Sequence, residues 1–248
     1  MKFEIGGLIY SLETKNQNWQ KFLQKKYKPF LVDTNIKEDF RLLIFPQKKR
    51  KRFSLFFPSG FRKAKIFTPL SLRRFRTFDF FLKTALANFF LEKKGFFLHA
   101  SSLVKNGQGL IFAGKRRVGK STVIKLASIY EPLNDDFAII RKIKGKFFVF
   151  SSPFYETNPI IKINSNVPVH RLYFLVQSNN NSVETIKREN CVPKIASLIL
   201  SSLSLSRLSK KQEKLILEKI WTNANDFARA IPCFMLYFKK DHSFLRLL

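Results

Sequence analysis

The stretch IFAGKRRVGKSTVIKLA, from Ile111 to Ala127, decides how the chain is read. Gly114 is followed, after four residues, by Gly119-Lys120-Ser121, the spacing G-x-x-x-x-G-K-[ST] of a phosphate-binding loop. An apolar run leads directly into Gly114, and STVIKLASIY after the loop has a helical pattern, so strand, loop and helix stand in the order such a loop requires. The chemistry explains the spacing. Backbone N–H groups of the loop (Gly114, Lys115, Arg116, Arg117, Val118, Gly119) would converge on a phosphate, and the N-terminal end of the helix adds positive potential. Lys120 would reach the β- and γ-phosphates of a nucleotide, the Ser121 hydroxyl would bind Mg²⁺, and Thr122 lies within reach of the α-phosphate. Lys115 and Arg116 add charge at the mouth. Arg117 stands where many such loops have Gly, and a left-handed conformation there costs about 1 kcal/mol or more.

Working outward, FFLHASSLV and LIFA read as two strands joined by the turn KNGQG, with His99 on the first. On the other side, EPLNDDFAII places Asp135 and Asp136 at the head of an apolar strand that follows the loop helix. One carboxylate there can hold Mg²⁺, and a second can take the proton of an acceptor hydroxyl. The plain alternative is a solvated pair at a strand start. A single His after an apolar run is ordinarily a hydrogen-bonded core residue, but adjacent strands would bring His99 beside the loop and the acids. His170 and His242 have no partner signal.

The rest of the chain reads as alternating strands and helices. MKFEIGGLIYSLE suggests a hairpin around Gly6-Gly7, and NWQKFLQKKYKPFLV a helix ending before Pro29. Residues 40–45 and 53–57 look like short strands, and 77–91 like a helix with one apolar face. RKIKGKFFVFSSPF forms a second hairpin, VHRLYFLVQ a buried strand, and CVPKIASLILSSLSL a helix beginning near Pro193. KQEKLILEKIWTNANDFARA is a further helix and IPCFMLYF a final core strand; NNNS reads as a loop.

Composition bounds the class. At 248 residues, with 45% hydrophobic and 25% charged residues, the chain is globular rather than disordered. Two cysteines, Cys191 and Cys233, are too few for a disulfide scaffold or a zinc cluster, and suit a reducing, cytoplasmic setting. The longest apolar candidate, FDFFLKTALANFF, carries Lys83 and falls short of the roughly 20 residues of a membrane span. The net charge of +29, from 46 basic against 17 acidic residues, suggests an anionic partner. Its densest part, Arg41 to Arg76, includes KKRKR and RRFR and contains no acid. Compositional drift toward Lys and Phe explains the same numbers without any partner.

Together, LHASSLV, IFAGKRRVGKST, PLNDDFAII and SSPF resemble the C-terminal domain of HPr kinase/phosphorylase, and more closely its smaller relatives encoded beside peptide-modification systems. The resemblance covers residues 78–248 well and the N-terminal part loosely. It implies a P-loop kinase of the type related to phosphoenolpyruvate carboxykinases: an α+β fold whose mixed sheet is flanked by helices. That domain would span 77–248, with a small β-rich module at 1–76. It also implies ATP and Mg²⁺ as cofactors, with Lys120 and Ser121 on the nucleotide and metal. Asp135 then matches the general base, Asp136 the metal acid and His99 their partner. Two positions depart from the pattern: Arg117 replaces a usual Gly, and Thr122 stands where the HPr enzymes carry Glu. The resemblance also allows a homo-oligomer.

Three functions follow from these residues. The first is an ATP-dependent kinase acting on a hydroxyl of a peptide, small protein or small molecule. The second is an ATP-binding regulator without catalysis. The third is a polyanion-binding protein that uses the basic 41–76 segment on nucleic acid or a membrane surface.

Overall fold

The computed structural model describes residues 1–47, 52–56, 62–69, 71, 75–115, 117–154, 164–203 and 210–248. Its described elements form two mixed sheets with helices packed against them, a mixed α/β architecture.

The first sheet opens with the hairpin β1 (Lys2–Ile5) and β2 (Leu8–Glu13). Gly6 and Gly7 turn it with φ of 60° and 69°. At Gly6 a Cβ would also lie 2.5 Å from the Phe90 ring, so glycine answers both to the backbone and to the packing. Helix α1 (Gln17–Lys26) follows, capped by Asn16, whose side chain accepts from the Trp19 N–H at 3.1 Å. Then come β3 (Leu31–Val32), β4 (Phe40–Gln47), β5 (Ser54–Phe56) and β6 (Lys63–Pro69), giving the order β3-β1-β2-β4-β6-β5. The β2–β4 and β4–β6 pairs are parallel. The alternation in KAKIFTP puts Ala64, Ile66 and Thr68 inward, while its lysines stay at the surface.

Helix α2 (Phe75–Glu92) lays Phe78, Leu82, Ala85, Leu86, Phe89 and Phe90 into the same core as Phe3, Tyr10, Trp19 and Phe40. Asp79 on this helix is held by the Lys26 ammonium and by the Tyr27 hydroxyl, the latter at 2.8 Å.

The second sheet contains β7 (Gly95–Lys105), β8 (Gln108–Ala113), β9 (Glu131–Asn134), β10 (Phe137–Ile143) and β11 (Lys146–Phe150). It is completed by β12 (Asn166–Gln177), β13 (Ser182–Thr185) and β14 (Cys233–Phe238). The order is β11-β10-β7-β8-β12-β14-β13, with β9 on β7. Strands β8, β12 and β14 run parallel; β11 also pairs with β12, so the sheet curls back on itself. Both faces are covered. Ile111, Leu172 and Phe174 face α4 (Arg188–Leu200) and α5 (Lys210–Ala230), whereas Phe112, Tyr173 and Leu175 face α3 (Lys120–Leu126). Two-sided burial is why LIFA and LYFLV are continuous apolar runs rather than alternating ones.

Four details differ from the sequence expectation. Helix α3 stops at Leu126 instead of running to Tyr130, because Pro132 forces Glu131 extended and the chain must turn before it. EPLN is a strand of its own, so the two acids lie between strands rather than at the head of one. Helix α4 begins at Arg188, with Pro193 inside it, where the missing N–H leaves only a first-turn carbonyl without its helical donor. Strand β13, beginning at Ser182 in the segment read as a loop, covers the edge of β14. Among the described residues no helix is long and apolar enough to cross a membrane.

Candidate functional site

The site grows from the end of β8. The chain leaves the sheet at Ala113 and turns through Gly114 to Gly119 before α3 begins at Lys120. Within the turn, the Val118 N–H donates to the Lys115 carbonyl at 3.3 Å. Gln177, at the end of the neighbouring strand β12, donates its Nε2 to the carbonyls of Arg117 and Val118 at 3.0 and 3.1 Å. Those two bonds tie the loop to the end of the adjacent parallel strand. Gly119 has φ of 112°, and a Cβ there would come 2.8 Å from the Phe238 ring, so no larger residue fits. Arg117 also adopts a left-handed conformation, with φ of 66°. Arg116 lies outside the described residues.

Lys120 is buried, at 7% exposure, and its ammonium turns back over the loop to the carbonyls of Gly114 and Lys115, at 3.3 and 3.4 Å. Its own carbonyl accepts from the Ser101 hydroxyl of β7 at 3.4 Å, which fixes the start of the helix to the neighbouring strand. Ser121 and Thr122 follow in the first turn, half-buried.

The acids arrive from the other edge of β7. Strand β9 pairs Asn134 with Ser102, and β10 pairs Phe137 with His99. Asp135 and Asp136 therefore fall in the gap between two ladders on the same strand, opposite the segment that contacts Lys120. His99 Nε2 donates to Asp136 Oδ1 at 2.9 Å. Burial pushes the Asp136 carboxyl up, but the His99 hydrogen bond and the charges of His99, Lys83 and Lys120 together leave it below the usual aspartate value. Asp135 is 3% exposed. Just before it, Asn134 donates to the Ser102 hydroxyl at 2.7 Å.

Loop, lysine, histidine and acids, distant in sequence, thus meet where the C-terminal end of β8 lies against the middle of β7. The structure adds three residues that the sequence did not single out. The Phe137 ring stacks on His99, with centroids 5.1 Å apart and planes 9° from parallel. Lys83 of α2 sits on the Phe137 ring, its Nζ 3.1 Å from the centroid, so the layer beneath the site carries a second cation near Asp136. Gln177 is the third. None of these has a motif: each is placed by strand register or by packing of α2, which spacing in the sequence does not reveal.

The family model of SynChlorMet cassette protein ScmC matches residues 82–245. The chain belongs to the ScmC family. The segment this family shares runs from within α2 to the C-terminal turn, and so contains the loop, His99 and both acids. Among solved structures, the Hpr(Ser) kinase/phosphatase from Coxiella burnetii is similar over 61% of this ScmC-family chain and 90% of its own, at 14% identity and a TM-score of 0.34. No curated protein matches the chain. Much of the basic 41–76 segment, including 48–51 and 72–74, lies outside the described residues; within them, Arg41 is paired with Glu13 and Glu38.

Proposed function

We propose that the chain is an ATP-dependent kinase that transfers the γ-phosphate to a hydroxyl of a peptide, small protein or small molecule. The observation that carries this reading is one lysine. Lys120 is buried, its ammonium lies across the mouth of a glycine-bounded loop, and the adjoining His99–Asp136 pair joins β7 to the turn between β9 and β10. The sequence resemblance to HPr kinase/phosphorylase supports the same chemistry.

In this reading, loop N–H groups and the Lys120 ammonium hold the β- and γ-phosphates. Asp135 accepts the proton of the acceptor hydroxyl. The hydroxyl oxygen bonds to the γ-phosphorus as the bond from that phosphorus to the bridging oxygen of ADP breaks, and ADP leaves. His99 holds Asp136 through one carboxylate oxygen and leaves the other available. For Mg²⁺, the chain offers the Ser121 hydroxyl and Asp136. Among the described residues no cluster of three His, Cys, Asp or Glu could hold a metal ion. That sparse set fits Mg²⁺, which keeps several waters and binds through one or two carboxylates plus substrate phosphates. The ion would neutralise charge on the phosphates. Residues 77–248 form the transferring unit in this reading, and 1–76 an accessory module.

Incubation of the purified protein with Mg-ATP tests it: γ-phosphate should be released or transferred, and Asp135→Asn should abolish this. Transfer that survives the substitution overturns the assignment of the base. A second reading, an ATP-binding regulator without catalysis, draws on the left-handed Arg117 in the loop. It is favoured if ATP raises thermal stability and no turnover is seen.

A further inference from the structure

Beside the loop lies a groove of about 900 Å³, at the upper end of the range for ligand sites. One end is His99, and one wall is the outer side of the loop, Lys115, Arg117 and Val118. The opposite wall is α4, and the floor is the C-terminal end of β12 with Met235 of β14. Two features define its chemistry. The floor is apolar, built from Phe174, Val176 and Met235 with Leu198 above them. The rim is cationic: Lys115, Arg117 and Lys194 border it, Lys194 standing 5.8 Å from the centre of the Phe174 ring. No described residue lining it is acidic.

Lys120, Ser121 and Thr122, which hold phosphates in the kinase reading, do not line this groove, whereas His99 does. A molecule in the groove therefore reaches His99 past Lys115, Arg117 and Val118 without touching Lys120, Ser121 or Thr122, which leaves those three to the nucleotide. We infer that the groove is the acceptor site and that its occupant is an acidic peptide segment: a bulky apolar side chain on the floor, carboxylates against the three rim cations, and the reacting hydroxyl beside His99. The inference rests on the kinase reading for the word acceptor, but the binding it describes does not require nucleotide. Apolar burial gives the affinity, and the rim charge selects acidic over basic sequences.

Fluorescence anisotropy tests this with a short labelled peptide in which one serine is flanked by phenylalanine, leucine and glutamates. The control peptide has the same charge, with glycines in place of the apolar residues. At physiological salt the first should bind about tenfold or more tightly than the second, a difference near 1.4 kcal/mol. Ser197→Trp, which fills the groove from an exposed position on α4, should abolish that difference, and Lys194→Glu should weaken binding. Equal binding of the two peptides reduces the effect to the chain's overall positive charge and overturns the inference. So does an unchanged affinity in Ser197→Trp, or displacement of the peptide by adenosine, which would make the groove a base site. Failure of peptide binding while Mg-ATP still raises the Tm sinks this inference alone. Peptide binding without any response to Mg-ATP sinks the kinase reading and leaves the peptide site standing.

Discussion

Arg117→Gly should make the protein more stable. Arg117 holds φ of 66° in the loop, a region in which an L-residue with a Cβ is strained by about 1–2 kcal/mol. Its carbonyl is engaged by Gln177, and that bond does not depend on the side chain, which is exposed. Glycine removes the strain but adds backbone freedom to the unfolded chain, at about 0.5–1 kcal/mol. The net gain is about 0.5–1 kcal/mol, which for a chain of this size raises the Tm by about 1–4 °C. Arg117→Ala is the control: it removes the same charge and side chain yet keeps the Cβ, so it should leave the Tm nearly unchanged. Urea and thermal unfolding of wild type, Arg117→Ala and Arg117→Gly would decide the matter. Equal stability of the two variants refutes the reasoning, because the only difference between them is the atom to which the strain is assigned.

Three further outcomes follow from the packing. Lys26→Met takes the paired ammonium from the buried Asp79 carboxylate, leaving the Tyr27 hydroxyl and the charge of Lys83, and should destabilise by about 3 kcal/mol in urea titration; a cost near zero would mean that Asp79 is neutral in the folded protein. Asp136 is depressed below its ordinary value, so its contribution is present above the unfolded pKa, about 3.9, and is lost as pH falls through the folded one. The stability gap between wild type and Asp136→Asn should thus be full at neutral pH and shrink below about pH 4; a gap that widens on acidification contradicts the His99 pairing. The Cys233 thiol is pushed up by its hydrogen bond with Cys191 and by burial, so native protein should resist iodoacetamide and label only on unfolding.

Local signals in the sequence carried far. Turn glycines located the hairpins at Gly6-Gly7 and Lys144-Gly145, and the step from apolar run to Gly114 located β8 and the loop. Periodicity located α2, because its apolar face is wide and lies on a core of rings. Strand β6 was harder: KAKIFTP alternates, but its outward lysines made it look like part of a basic tract. The pairing that matters most, β9 and β10 sharing one edge of β7, has no local signal at all. That register brings His99 against Asp136 and puts Asp135 in a gap. Lys83 shows the same limit. In the sequence it is only the charge that interrupts an apolar run; in the fold it lies on the ring that stacks against His99.

The central claim is that the loop holds a nucleotide through Lys120, and calorimetric titration with Mg-ATP tests it most directly. Wild type should bind, and Lys120→Met, which keeps the length of the buried side chain but not its charge, should bind at least about tenfold more weakly with its unliganded Tm little changed. Equal affinity in the two proteins, or no binding by wild type, would contradict the account.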